Sequence, residues 1–280
     1  MKRFLMGLAM CAASIGAMAQ EAENKEIIKD GWNFGPLPVV GFDSDLGFQY
    51  GVCLDIFNFG DGSRYPSYDY KMNLEASTFT GGSSLLRFYG DFKTLIPDGK
   101  LFVDCTYFTA KKYDFYGYNG YASPFFVDGI GLEEGVTSAL NMMSRNQFRF
   151  VASVQQKIAG NLYWTLGLGY YNIKTGGVKL DEYKDQRTLY HLYRQVGLIR
   201  EDEAEGGNVL QFKAGLVYDT RDHDSDPTRG VNIEATLVGA PDIIDRKGYS
   251  NVGLTFVGSH YEPVWKDKLT FAYRLGMQAN

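Results

Sequence analysis

The chain has 280 residues, a formal net charge of −5 and an aromatic content of 15%, with 33 Gly and 8 Pro. This acidic balance argues against a nucleic-acid partner, because such partners are bound by basic surfaces. After Gln20 no apolar run is long enough to form a membrane-spanning helix.

The N-terminus has the three parts of a secretory signal peptide. Lys2 and Arg3 form the positive start, residues 4–17 form the apolar stretch, and Ala17-Met18-Ala19 is a small-residue cleavage site. The alternative is a membrane anchor, but the apolar stretch is too short to span a bilayer. We therefore predict a signal peptide over residues 1–19, followed by a short polar periplasmic lead over residues 20–32.

From Asn33 onward apolar and polar side chains alternate with a period of two, which is the pattern of β-strands. Most of the alternating segments have about the 9–11 residues with which a tilted strand crosses a bilayer. We predict about eleven strands, at residues 33–42, 46–57, 69–79, 84–95, 100–110, 147–157, 161–172, 208–219, 230–238, 249–261 and 268–277.

The first predicted strand contains Pro36 and Pro38. Proline has no N–H group to donate to a β-ladder, so prolines inside strands are confined to sheet edges and bulges. We therefore expect this strand to lie at an edge of the sheet or to be weakly paired.

Alternation alone does not distinguish a soluble β-sandwich from a membrane barrel. Two features favour the barrel. The connections alternate between short turns (among them residues 97–99, 159–160 and 263–267) and long loops (residues 111–146 and 175–207), as in barrels with short periplasmic turns and long outer loops. In addition, nearly every strand carries charges on its polar face: Lys71, Glu75, Arg87, Asp91, Arg149, Lys213, Glu234 and Arg274. The predicted fold class is all-β, an antiparallel transmembrane β-barrel of the cell outer membrane.

These eight charges would line the lumen of such a barrel. Polar residues that face a lumen tune what passes through it or docks in it. Alternatively, the charges only hydrate the lumen and pair with one another. The sequence leaves both interpretations open.

Three segments resemble one known family. The turn from Asp219, Arg221 and Asp222 to Pro227 and Gly230 resembles its D-x-R-D…P-x-x-G turn, with Gly230 suited to a positive φ. Phe115-Tyr116-Gly117 resembles the start of its F-Y-G-x-[GN] outer-loop motif, and residues 41–48 resemble its first hairpin. The three matches share one register, in which the turn joins the eighth and ninth strands. The chain thus resembles the BamA/TamA (bacterial surface antigen) outer-membrane barrel superfamily.

The resemblance implies a barrel of sixteen strands that assists the insertion or translocation of proteins or other envelope components. The lead over residues 20–32 is too short for a POTRA repeat, and the sequence stops where the sixth outer loop would begin. We therefore expect a POTRA-less chain, truncated at its C-terminus, with residues 33–280 as an incomplete barrel domain. Pro36 and Pro38 would then mark a lateral seam that opens. The alternative is a passive channel or a surface-structural barrel without insertase activity.

No catalytic, cofactor or metal site is predicted. Asp222, Asp224 and Asp226 have the spacing of a calcium loop, but Pro227 and Ile233 stand where such a loop needs Gly and Glu. The three histidines, His191, His223 and His260, have no metal-ligand spacing. We expect no enzymatic activity, and as partners outer-membrane lipid, lipopolysaccharide and other envelope proteins, with no nucleic acid.

The predicted mature chain has two cysteines. The alternation places Cys53 on the inward face of one strand and Cys105 on the outward face of another. Side chains on opposite faces of a sheet cannot reach disulfide geometry. We predict two free thiols.

Overall fold

The computed structural model describes residues 28–118, 138–179, 187–224, 226–248, 250–265 and 268–279. Within these ranges eleven strands form one antiparallel sheet, and each strand pairs with its neighbours in sequence. The strands are β1 (Trp32–Asp43), β2 (Gly47–Asn58), β3 (Tyr70–Phe79), β4 (Ser84–Phe92), β5 (Gly99–Asp114), β6 (Met142–Ala159), β7 (Leu162–Gly176), β8 (Gly207–Asp219), β9 (Gly230–Ala240), β10 (Asn251–Trp265) and β11 (Leu269–Ala279). The predicted all-β class and strand number are confirmed. The predicted signal peptide and most of the lead lie outside the described residues.

Two predicted connections differ from the structure. The start of the expected turn over residues 263–267 is wrong, because β10 continues to Trp265. The register of β10 against β11 shifts between Pro263 and Trp265, and this irregularity accommodates a proline inside a paired strand. The long connection between β7 and β8 contains a helix that was not predicted, α1 (Leu189–Gln195), whose N-cap Thr188 accepts a hydrogen bond from the His191 N–H. Among the described residues no helix is both long and apolar enough to cross a membrane.

The register sorts the side chains of the sheet into two faces. Glu75 pairs with Arg87, Arg87 with Thr106, and Thr106 with Arg149, and directly opposite residues share a face. Following such rows across all strands places the eight charges predicted as lumenal on one face, which we call the charged face: Lys71, Glu75, Arg87, Asp91, Arg149, Lys213, Glu234 and Arg274.

The opposite face, which we call the apolar face, presents large hydrophobic side chains to the outside. Its exposed members occur on strands from one edge of the sheet to the other: Phe34, Val52, Leu74, Leu86, Leu166, Leu216, Leu237, Leu254 and Leu275. An exposed apolar surface of this extent is typical of a surface that something apolar covers.

The sheet curls toward its charged face. Five strand spacings, about 24 Å in a flat sheet, separate β3 from β8. Nevertheless, Tyr68 before β3 and Arg221 after β8 line the same cavity. A side chain of the β8–β9 connection, Asp224, also reaches Lys100 on the charged face of β5. The charged face is therefore the concave face.

The two cysteines are free, as predicted. Cys53 pairs with Glu75 of the charged face, whereas Cys105 pairs with Phe88 of the apolar face. The Cys53 sulfur accepts a hydrogen bond of 2.9 Å from the Asn73 side-chain amide. The two thiols are kept apart by the sheet itself.

Candidate functional site

The β8–β9 connection is closed by hydrogen bonds between Thr220 and Val231, beside Gly230. Thr220 N donates to the Val231 carbonyl over 2.8 Å, and Val231 N donates to the Thr220 hydroxyl over 2.9 Å. Gly230 has a φ of +108°, and a Cβ there would overlap the Thr220 carbonyl oxygen. Both the backbone conformation and the close approach require glycine at this position.

Asp219 and Arg221 form a two-pronged ion pair at the start of the connection. Arg221 Nε and Nη2 donate to the two carboxylate oxygens of Asp219 over 2.9 and 2.7 Å. The Arg221 backbone N–H donates to the same carboxylate over 3.1 Å, and Arg221 Nη1 donates to the Asp224 carbonyl over 3.3 Å. A bidentate guanidinium–carboxylate pair is strong and directional, so it fixes the direction in which the chain leaves β8.

Asp222 holds the two arms of the connection together. Its carboxylate accepts from the backbone N–H groups of His223, Thr228 and Arg229 at 3.0, 3.0 and 3.2 Å. It also accepts from the Thr228 hydroxyl, and this bond contributes most to holding the pKa of Asp222 well below its usual value. Pro227, just before Thr228, has a φ fixed by its ring. The residues singled out in the sequence thus build the turn.

Asp224 connects this turn to the opposite side of the curved sheet. Its carboxylate lies 2.9 Å from Lys93 Nζ and 2.8 Å from Lys100 Nζ, at the two ends of the β4–β5 hairpin turn. Burial raises the pKa of the Asp224 carboxyl, but the two lysines outweigh burial and hold the pKa below its usual value. One carboxylate therefore bridges two lysines across the concave face, and Arg221 Nη2 also lies 3.7 Å from it.

Beside this bridge lies a basic cavity of about 460 Å³. Its lining includes four cationic side chains from three segments of the chain, Arg64, Lys93, Lys100 and Lys157, together with Tyr163. We call this space the basic cavity. Sequence reasoning missed it, although Lys93, Lys100 and Lys157 all stand within a few residues of predicted short turns, which was the available signal.

The outer-loop motif lies at the other end of the strands and contacts α1. The Phe115 ring meets the rings of Tyr190 and Tyr193 edge-on, with centroid distances of 5.8 and 5.7 Å. Gly117 has a φ of +77°, and a Cβ there would overlap the Tyr193 hydroxyl. Tyr116 donates from its hydroxyl to the Asp114 carboxylate over 3.1 Å. The motif fastens the β5–β6 loop to the β7–β8 loop.

Some of the eight charges pair with one another and others do not. Asp104, a neighbour not singled out in the sequence, accepts from Arg87 and from Arg149, each over 2.7 Å. Lys213 pairs with Glu234.

The remaining members of the charged face have other surroundings. Asp91 accepts from the Tyr68 hydroxyl over 2.7 Å, Glu75 accepts from Ser77 over 2.9 Å, and Lys71 Nζ lies 5.6 Å from the centre of the Phe57 ring. Arg274 has no ion-pair partner in the part of the chain that is described. Internal pairing thus accounts for part of the set, and a role in passage or docking stays a prediction.

The prolines of β1 face the free edge of the sheet. Phe48 N donates to Thr80 Oγ1, and Phe48 O accepts from Thr80 N, so the backbone groups of Phe48 point toward β3. Phe42 is opposite Phe48, which makes this a non-hydrogen-bonded pair of the β1–β2 ladder. Pro36 and Pro38 each lie an even number of residues from Phe42 along β1. Their backbone nitrogens, which carry no hydrogen, therefore also point away from β2. The pairing of β1 with β2 extends from Trp32 to Asp43, so of the two expected alternatives, an edge position or weak pairing, the structure shows the edge position.

The acidic triplet of the turn does not converge on a common point. Asp222 is occupied with the turn backbone and Asp224 with two lysines, while Asp226 is exposed. Within the described ranges no group of three or more His, Cys, Asp or Glu side chains is arranged to hold a metal ion.

Comparisons with known proteins give a likeness to solved structures and no match of other kinds. No protein-family model and no curated protein matches the chain. The crystal structure of BamA from Haemophilus ducreyi lacking POTRA domains 1–3 is similar to it at 16% identity with a TM-score of 0.47. The alignment covers 89% of this chain and 41% of that one, so the chain spans about two-fifths of the length of that protein.

Proposed function

We propose that this chain forms part of the wall of an outer-membrane β-barrel. The two faces of the sheet support the proposal, because lipid is the environment in which an exposed apolar face is stable beside a charged concave face. On β11 the exposed fractions of Phe271, Tyr273 and Leu275 are 52%, 49% and 70%. Outer-membrane lipid and lipopolysaccharide are then the partners of the apolar face, and the protein acts without nucleic acid and without enzymatic chemistry.

The activity proposed for this barrel is assistance in the insertion or translocation of envelope components, at a seam beside β1. The observation that carries it is the placement of Pro36 and Pro38 on the free edge. Any strand that pairs there finds carbonyl acceptors but no N–H donors at two consecutive outward-facing positions. Each missing bond removes about 0.5–1.5 kcal/mol of net stability in water, and leaves a group unsatisfied in lipid. A seam of this kind is readily displaced by an incoming strand.

The test restores the two donors with the double variant Pro36→Val/Pro38→Val. We expect a more tightly paired edge, and therefore lower amounts of other barrel proteins in the outer membrane of cells that carry the variant in place of the native protein. Pro241→Val, in the β9–β10 connection, is the matched control and is expected to leave these amounts unchanged. Native amounts in the double variant, at equal expression of the protein itself, contradict the proposed activity.

A passive channel is the second candidate, and the charged concave face favours it. A water-filled lumen needs polar, charged walls, and the sheet supplies them from β3 to β11. Two measurements distinguish the candidates. Ion conductance in planar bilayers, combined with unchanged amounts of other barrel proteins after deletion of the gene, is the result expected of a channel. The absence of conductance, combined with lower amounts of other barrel proteins after deletion of the gene, is the result expected of an assembly factor.

A further inference from the structure

The basic cavity lies at the end of the charged face that also carries the β8–β9 connection. Lys100 and Lys157 both stand on the charged face, in β5 and β6, and Tyr163 pairs with Lys157 from β7. Arg64, from the β2–β3 connection, completes the lining from the far side. The cavity therefore opens to the concave side of the sheet, where water-soluble groups have access.

The cations of the cavity are incompletely neutralised. Lys93 and Lys100 share the single carboxylate of Asp224. Arg64 pairs with Asp69, whereas Lys157 has no ion-pair partner within the described ranges. Asp98 is the acidic residue in the lining. The lining thus holds four cations and one carboxylate, and Asp224, which pairs with two of the cations from outside, is also 3.7 Å from Arg221 Nη2. An excess of positive charge remains in a protein whose net charge is −5.

The Asp224 carboxylate is an anion of the protein itself that binds two lysines of the basic cavity. It comes from a connection 124 positions away in sequence from Lys100, and it contacts both lysines from outside the cavity lining. Two lysines at 2.8 and 2.9 Å from one carboxylate retain further N–H donors, because each ammonium carries three. Lys93 Nζ also lies 4.2 Å from the centre of the Tyr68 ring.

We propose that the basic cavity binds a phosphate-bearing anion, with Lys93, Lys100 and Lys157 as its principal contacts. Lysines serve as point-charge phosphate ligands, and several of them around one space suit a group with more than one negative oxygen. The volume of about 460 Å³ is that of a small-molecule site. Asp224 competes with the ligand for the same two lysines. The ligand is a free phosphorylated solute or the phosphate of a lipid headgroup.

The first experiment measures the binding of sodium pyrophosphate to the full chain in detergent by isothermal titration calorimetry at low salt. Lys157→Gln is expected to weaken binding about fivefold, because it removes a cation that has no ion pair with any described residue. Asp224→Asn is expected to strengthen binding by a similar factor, because it frees two lysines. Opposite signs from the two variants are the signature of a shared site, since loss of folding would weaken binding in both.

Lys247→Gln is the matched control, because Lys247 lies in the β9–β10 connection at the opposite end of the sheet. A titration with dihexanoyl phosphatidylglycerol against dihexanoyl phosphatidylcholine separates the two sources. Binding of phosphatidylglycerol without pyrophosphate identifies a lipid headgroup, and binding of pyrophosphate identifies a free phosphate. If neither binds in the millimolar range, or if Lys157→Gln and Lys247→Gln behave alike, the site does not exist.

Discussion

Asp224 and Lys100 stand 124 positions apart in the sequence, and their side chains meet at 2.8 Å across the concave face of the sheet. Lys93 shares the same carboxylate at 2.9 Å. The contact joins the β8–β9 connection to the β4–β5 hairpin turn, so it spans three strand spacings. The contact restrains the β8–β9 connection and also neutralises part of the positive charge of the basic cavity. The position of this connection and the charge of the cavity therefore depend on the same carboxylate.

Asp224→Asn tests the mechanical part of this coupling. Removal of the carboxylate charge leaves Lys93 and Lys100 facing each other without a bridge, and the turn loses its attachment to β4 and β5. Because the side chain of Asp224 is 35% exposed, solvent screening limits the expected destabilisation to about 1 kcal/mol. We expect faster tryptic cleavage after Arg221 and Arg229 in the variant.

Asp226→Asn is the control for this measurement. Asp226 lies two positions further along the same connection, is exposed, and has no ion pair with any described residue. Equal cleavage rates for the two variants would mean that the Asp224 bridge does not restrain the turn.

The pH dependence of the turn follows from Asp222 and Asp224 together. Both carboxyls have a pKa below the ordinary value in the folded chain, Asp222 chiefly through the Thr228 hydroxyl and Asp224 through two lysines that outweigh its burial. A lowered folded pKa means stability that is complete above the unfolded pKa of about 4 and lost as the pH falls below it. We therefore expect the Thr228 and Arg229 amides to stay protected from hydrogen exchange at pH 5–7.

The same measurement on Asp222→Asn provides the comparison. In this variant the Thr228 and Arg229 amides should exchange faster at neutral pH, and their exchange protection should change less as the pH is lowered. Protection that persists in Asp222→Asn would show that the carboxylate is not what holds the two arms of the turn.

The strands and the two faces of the sheet were predictable because both depend on local alternation. A period of two specifies a strand from its own residues, and the same pattern placed Cys53 and Cys105 on opposite faces. The ends of the elements were less predictable. Pro263 indicated a turn, but the shifted register of β10 against β11 tolerates it. Helix α1 is seven residues long and depends on Phe115 packing from another loop, so no local pattern specifies it.

The candidate site was only half predictable for a related reason. The turn residues were identifiable because their contacts are local, with Asp219 bonded to Arg221 and Asp222 bonded to Thr228. The basic cavity was not, since Arg64 and Asp224 approach its lysines from distant segments, and Asp224 reaches Lys100 only because the sheet curls. Curvature depends on the whole set of strand pairs, and no single segment encodes it.

Gly230→Ala tests whether the turn requires its positive φ. Gly230 has a φ of +108° and a Cβ would overlap the Thr220 carbonyl, so we expect a loss of about 1–3 kcal/mol. Thermal unfolding in detergent measures it. Gly239→Ala is the matched control, because Gly239 lies in the same strand with open space around its Cα, and it should unfold at the native temperature. Unfolding of both variants at the same temperature would show that the turn adapts to a side chain.

Gly117→Ala tests the contact between the outer-loop motif and α1. Gly117 and Gly197 have similar positive φ values, +77° and +73°, but only a Cβ at Gly117 would overlap a neighbour, the Tyr193 hydroxyl. Gly197→Ala therefore measures the cost of the backbone conformation alone, and the additional loss in Gly117→Ala measures the contact. We expect this additional loss to be about 1 kcal/mol or more, read as faster proteolysis of the β5–β6 loop.

Tyr193→Phe supplies the second half of this test, because it removes the oxygen that the new Cβ would overlap while keeping the ring that packs on Phe115 at 5.7 Å. The double variant Gly117→Ala/Tyr193→Phe should recover part of the lost protection, whereas Tyr193→Phe alone should change little. Recovery would show that glycine is needed at this position because the helix approaches it so closely. Equal cleavage of the β5–β6 loop in Gly117→Ala and in the double variant would instead mean that glycine is required for the backbone conformation alone. The contact between the two loops would then depend on the rings that pack on Phe115 and not on the glycine.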